Sequence, residues 1–191
     1  MEKKQTLDIK KLTYLAVLTA IVFVLQFLPI KVAGTFTVTF VLLPIVIGVA
    51  LCGISAGVWL GAVFAAAVFA TGDAALFLSF DVLGTVVTVF AKGMLAGLGA
   101  GLVYKLFEKK NRYLAVTASA VVTPIINTGV FFLGCVVFFM DDINVYFGLG
   151  GEGIIPFIIT ALIGFNFIIE LAVNICLAPT IYRLINLKKA K

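Results

Sequence analysis

The chain has 191 residues, 63% of them hydrophobic and only 12% charged, with a formal net charge of +5 and no histidine. Soluble domains carry roughly 45–50% apolar and about 25% charged residues, so water is excluded as the solvent for most of this chain. The missing histidine also excludes His-based triads, HExxH zinc sites and imidazole acid–base chemistry.

Six apolar runs follow one another, at about 12–28, 38–52, 54–70, 82–106, 113–140 and 155–185. A helix needs about 20 apolar residues to cross a bilayer, and fewer where neighbours shield it. The runs predict an all-α integral membrane protein: one transmembrane domain over residues 1–191, built as a six-helix bundle. The first run follows a basic start, as in a signal peptide, but it has no small-residue cleavage site and more apolar runs follow. It reads as a retained helix. Gly53 and Ser55 mark a tight turn between the second and third runs, and the last three runs are long enough to tilt.

The charges are segregated. Lys3, Lys4, Lys10 and Lys11 precede the first run; Lys105, Lys109, Lys110 and Arg112 join the fourth and fifth; Arg183, Lys188, Lys189 and Lys191 close the chain. The alternate loops hold Asp73, Asp81, Asp141, Asp142 and Glu152, with Lys31 as their sole basic residue. Basic residues mark the cytoplasmic side, which predicts cytoplasmic termini and acidic outer loops. The loop from Asp141, punctuated by Gly148, Gly150, Gly151 and Gly153, reads either as a lid or as an ordinary connection.

Within the runs, small residues at four-residue spacing mark helix-packing faces. Gly53, Gly57 and Gly61 form one ridge, Gly93, Gly97 and Gly101 another, and both are expected to pack inside the bundle. Ala16 and Ala20 form a smaller pair on the first span. Charges at mid-bilayer are costly and are retained for a reason. Lys92 on span four and Glu170 on span six lie about halfway along their runs, where they meet at similar depth. Asn127 lies at that depth on span five, three residues after Pro124, which is expected to kink the helix. Asn166, Glu170 and Asn174 share one face of span six. Lys92, Asn127, Asn166, Glu170 and Asn174 are therefore the candidate substrate-binding residues. The same polar level also reads as a buried pair with amide neighbours that fixes packing. Trp59 reads as packing or an interface anchor. Phe131, Phe132, Phe138, Phe139 and Tyr146 approach the outer side, where a ligand with an apolar part would use some of them.

Other chemistry is missing. There is no GxxxxGK[ST] phosphate loop, no aspartate pair within the spans, no nucleophile with a base beside it and no inverted repeat of the transporter kind. Cys52, Cys135 and Cys176 lack metal-ligand spacing and read as packing residues. No enzyme activity, metal or cofactor is expected. A binding subunit that takes its energy from partners fits better than a complete pump.

Taken together, the order of these features resembles the substrate-binding S components of energy-coupling factor transporters, the vitamin importers of prokaryotic cell membranes. The resemblance covers nearly the whole chain. The stretch from Lys10 to Ile21 looks like the family's first helix, and Ala91-Lys92-Gly93-Met94-Leu95-Ala96-Gly97 looks like its fourth. The resemblance implies a high-affinity vitamin binder without catalytic activity. Its partners would be a transmembrane coupling protein and two ABC-type ATPases. Ala16 and Ala20 match the motif by which S components dock on the coupling protein. The ligand would sit towards the outside, among spans four to six, under closing loops, and the subunit would topple to release it. The chain is most similar to the branch of riboflavin and pantothenate binders. Pantothenate is preferred because Lys92 suits a carboxylate and Thr123 to Gly129 looks similar to that group; riboflavin is the alternative. A small stand-alone carrier or channel is the competing reading from another class.

Overall fold

The computed structural model describes residues 2–28, 30–32, 36–38, 40–150 and 153–187. Gly151, Glu152, Lys188, Lys189 and Lys191 lie outside the described residues. In chain order the structure holds α1 (Glu2–Gln26), β1 (Ile30–Val32), β2 (Phe36–Val38), α2 (Leu42–Cys52), α3 (Ile54–Thr71), α4 (Ala75–Phe80), α5 (Val82–Phe107), α6 (Arg112–Phe138), α7 (Met140–Phe147) and α8 (Ile154–Phe157). A π-helical segment, Ile158–Gly164, then leads into α9 (Phe165–Leu187).

The architecture is a helical bundle with one small antiparallel hairpin, in which Ile30 pairs with Val38 and Val32 with Phe36. Five segments are long and apolar enough to cross a membrane: Ile9–Gln26, Ile54–Thr71, Val82–Phe107, Arg112–Phe138 and Ile154–Asn186. The second apolar run differs from expectation. Val38, at its start, belongs to the hairpin, whose β-branched and aromatic residues suit a strand. The helix that follows, α2, has only 11 residues. It is an interior element: Leu42, Ile45, Val46 and Val49 are buried, and α2 packs on α1, α3, α5, α6 and α9.

Apolar side chains cover the outside of the bundle as well as filling most of its core. Leu83 and Val145 are 72% and 82% exposed, whereas Thr85, Thr88, Ser119 and Thr123 are buried. Apolar side chains on the outside and hydrogen-bonding ones within are what a hydrocarbon solvent selects. Three of these four hydroxyls find partners on the helices themselves; that of Thr88 has none among the described residues. Ser119 donates to the Ala100 carbonyl across the α5–α6 contact at 2.9 Å, and Thr123 donates to the Ser119 carbonyl at 2.6 Å.

The two glycine ridges pack on each other. A Cβ on Gly57 would lie 2.6 Å from the Gly97 carbonyl oxygen, and one on Gly61 would collide with the Gly93 carbonyl. Helices α3 and α5 thus cross with bare backbones in contact. Gly53 is not part of that crossing: its φ of 97° makes it the break between α2 and α3. Gly101 closes the other end of the ridge against Ile54. Side-chain caps start the two longest helices. Asp81 accepts from the N–H groups of Leu83 and Gly84 at 3.0 and 2.9 Å, and Asn111 does the same for Tyr113 and Leu114.

Charge divides the bundle into two ends. The Cys52 thiol reaches the Lys11 carbonyl, Ile54 meets Gly101, and Tyr113 lies edge-on to Tyr182 at 5.3 Å. These contacts gather Lys10, Lys11, Lys105, Lys109, Lys110, Arg112 and Arg183 at one end. Gln26 bonds to Asp73, and Phe80 packs on Tyr146 at 5.5 Å, which gathers Asp73, Asp81, Asp141 and Asp142 at the other.

Candidate functional site

Towards the acidic end the bundle holds a half-open cavity of about 250 Å³. Its wall takes Gln26 from α1, Phe64 and Val68 from α3, Asp73 and Ala74 from the turn after α3, and Phe77 from α4. Val89 and Lys92 come from α5; Asn127, Thr128 and Phe131 from α6; Leu162 and Ile163 from the π-helical segment; Asn166, Phe167 and Glu170 from α9.

Each polar group is there for a local reason. Lys92 stands one turn beyond Thr88 and Val89 on the inner face of α5, beside the Gly93 and Gly97 contact with α3. That close crossing brings Phe64 of α3 against α5. The Lys92 ammonium lies 5.6 Å from the Phe64 ring centre and 5.0 Å from that of Phe131. These are cation–π contacts. Glu170, in the same wall, is the acidic group whose field acts on Lys92 most, and Asp73 acts as well. Lys92 and Glu170, expected to meet as a pair, thus share the cavity wall.

Asn127 is 7% exposed, and its Oδ1 is buried with no hydrogen-bond partner among the described residues. Pro124 does not end α6, which runs unbroken over Arg112–Phe138. Its missing N–H leaves the Ala120 carbonyl without its helical donor. On α9, Asn166 and Glu170 line the cavity, one turn apart. Asn174, expected beside them, does not. It is buried a turn further on, where its Nδ2 donates to the Glu170 carbonyl at 2.8 Å. Asn174 holds the backbone beneath the site. Four of the five candidate substrate-binding residues therefore converge, and one supports from below.

Gln26 and Asp73 are among the wall residues that escaped the sequence reading of the site. Gln26 is 2% exposed on the face of α1 that also buries Leu18 and Val22, and its Nε2 donates to Asp73 Oδ2 at 2.6 Å. Asp73 is fixed at the cavity rim by the left-handed Gly72, φ 78°, and by Thr71, whose hydroxyl donates to the same Oδ2 at 3.0 Å. The usable signal was a lone amide at eight-residue spacing from Leu18 inside an apolar run. Ala16 and Ala20 lie on the exposed face of α1, away from the cavity. Trp59 binds the α1–α3 pair, its Nε1 donating to Thr19 Oγ1 at 3.1 Å. Of the five aromatic residues expected near the outer side, only Phe131 lines the cavity. Phe132 lines an apolar groove of about 300 Å³ with Ile125, Gly129 and Ile159, and Phe139 packs on Phe77 at 5.1 Å. Among the described residues, no group of three or more metal-ligating side chains comes together.

The cavity thus joins polar groups of α1, α5, α6 and α9 to apolar neighbours in one wall. The family model described as "ECF transporter, substrate-specific component" matches residues 10–182. The chain belongs to this family. ECF substrate-specific components are substrate-binding subunits of transporters, not enzymes, and they work with a transmembrane T component and ATPases. The present ECF component is accordingly a multi-pass membrane protein. No curated protein and no solved structure matches it.

Proposed function

We propose that this ECF component captures pantothenate at the outer face of a prokaryotic cell membrane for ATP-driven uptake. The basic end of the bundle, with both termini, faces the cytoplasm, and α2 completes a six-segment bundle as a short, shielded span. One observation carries the ligand assignment. Lys92 presents an ammonium to a half-open cavity, held by two phenyl faces. A buried cation is stabilised by opposite charge, and a ligand carboxylate in the cavity supplies it. The amide groups of Asn127 and Asn166 suit the polar remainder of the molecule. The cavity, near or below the lower end of the roughly 300–1,000 Å³ usual for small-molecule sites, favours a compact ligand over the three-ring system of riboflavin. Phe64 and Phe131 are also occupied by Lys92 and form no flat slot.

The test is direct. Gently purified protein is expected to bind pantothenate at submicromolar concentration by calorimetry and to release it as an intact small molecule in native mass spectrometry. Retention of riboflavin instead would replace the ligand assignment. Binding of neither, with the protein folded, would remove it. Liposomes containing this chain alone should show no pantothenate flux; flux without added ATPases would make the protein a self-sufficient carrier.

The exposed Ala16 and Ala20 of α1 are proposed as the docking patch for the transmembrane partner, since small residues let two helices approach closely. Ala16→Trp should reduce uptake in a reconstituted complex by about tenfold or more, while ligand binding by the isolated chain stays unchanged. Undiminished uptake would place the docking surface elsewhere.

A further inference from the structure

Resting on the assignment of the cavity as the ligand site, we infer that Gln26 and Asp73 form a second pole within it. This pole accepts hydrogen bonds and selects ligands that carry hydroxyl or amine donors at the end remote from their anionic group. The orientation of Gln26 carries the inference. An ionised carboxylate only accepts hydrogen bonds, so the side of the Gln26 amide that meets Asp73 Oδ2 at 2.6 Å must be its NH₂. Turning the amide over would set oxygen against oxygen. The Gln26 Oε1 is thereby directed away from Asp73. It is buried and has no hydrogen-bond partner among the described residues, although Gln26 is part of the cavity wall. A buried carbonyl oxygen left without a donor is unfavourable, and a leucine at this position would fill the same space without that penalty.

Asp73 adds to the same pole. Its Oδ2 takes both the Gln26 and the Thr71 donors, and no hydrogen bond among the described residues reaches its Oδ1. Two acceptor oxygens, one buried on Gln26 and one on the exposed Asp73 carboxylate, therefore share a wall with the Lys92 ammonium. The wall is bipolar. A monocarboxylate with donors on its far end satisfies both poles. A dicarboxylate of similar length sets its second charge against Asp73 and is rejected.

Paired probes test this on the full chain in detergent: D-pantothenate, and an N-acyl-β-alanine with the same carbon skeleton but no hydroxyls. Wild type should prefer the hydroxylated probe by about 10- to 100-fold, as expected for hydrogen bonds that involve a charged group. In Gln26→Leu and in Asp73→Asn the preference should collapse to within about threefold, the affinity for the hydroxyl-free probe being retained. A preference that survives in both variants overturns the inference. If wild type binds neither probe, the pantothenate assignment fails by itself, and the same variants are compared for the small molecule that co-purifies with wild type. An anion with remote donors, retained by wild type and lost from Gln26→Leu, sustains the bipolar site. A molecule lacking such donors, one held equally by the variants, or none at all overturns it.

Discussion

Lys92→Met is expected to weaken pantothenate binding by about 30-fold or more while leaving the bundle folded. Truncating one partner of a buried, hydrogen-bonded charge pair costs about 2–5 kcal/mol, and each 1.4 kcal/mol is about tenfold in affinity. Methionine keeps the unbranched chain, and its sulfur suits the Phe64 and Phe131 faces that now hold the ammonium. The variant also removes a charge from a low-dielectric interior, so its melting temperature should not fall. Lys92→Arg keeps the charge but replaces a compact ammonium by a planar fork, and should retain part of the affinity. Calorimetry on the three proteins decides the point. Unchanged affinity in Lys92→Met would mean that the lysine serves packing alone, and with it the assignment of a carboxylate ligand would fall.

Gly61→Leu is expected to prevent folding altogether. Any side chain at Gly61 points into the Gly93 carbonyl and the start of the next peptide. Backbone cannot rotate aside as a side chain does, so α3 and α5 would have to separate. Overpacking typically costs about 1–3 kcal/mol and more where the neighbours cannot yield, and here it also removes the close contact that associates helices in lipid. Gly97→Leu should behave alike, because its Cβ would meet the Gly57 carbonyl. Gly129→Leu is the control: a Cβ there has no atom within 4 Å, and the variant should be tolerated. Size-exclusion profiles and thermal unfolding in detergent distinguish these outcomes. A monodisperse Gly61→Leu protein with wild-type melting would show that the crossing is not what holds the bundle. The same crossing positions Phe64 beside Lys92, so a substitution that parts the two helices also takes Phe64 away from the lysine.

The glycine ridges show what kind of information the sequence carries well. Four-residue spacing announces a helix face, and two such faces free of side chains have few ways to pack. Lys92, Asn127, Asn166 and Glu170 were legible for a related reason: a polar group in an apolar run must find a polar neighbourhood, and groups at one depth find each other. Gln26 was harder to see. It stands at the end of its run, where an amide looks like the beginning of a loop, and only the burial of Leu18 and Val22 shows that its face points inward. Asn174 failed in the opposite direction. Periodicity put it on the same face as Glu170, but a face is longer than a cavity, and the side chain turned back to a carbonyl instead. The hairpin and the short α2 escaped because hydropathy alone does not separate a strand from a helix over so few residues. The π-helical segment has no signature of that kind, since a change in hydrogen-bond register leaves the order of apolar residues untouched.

Helix α1 packs on α2 and α3, and most of its length is exposed. Its tip carries Gln26 into the cavity, while the opposite side presents Ala16 and Ala20. On the proposed reading, a ligand and a transmembrane partner therefore hold two sides of one rod. Whatever position of that rod the partner favours, it changes the ligand's affinity by some factor, and thermodynamic reciprocity requires the ligand to change the partner's affinity by the same factor. An empty and a filled subunit should then compete unequally for a shared partner, with no signal passing through the rest of the bundle.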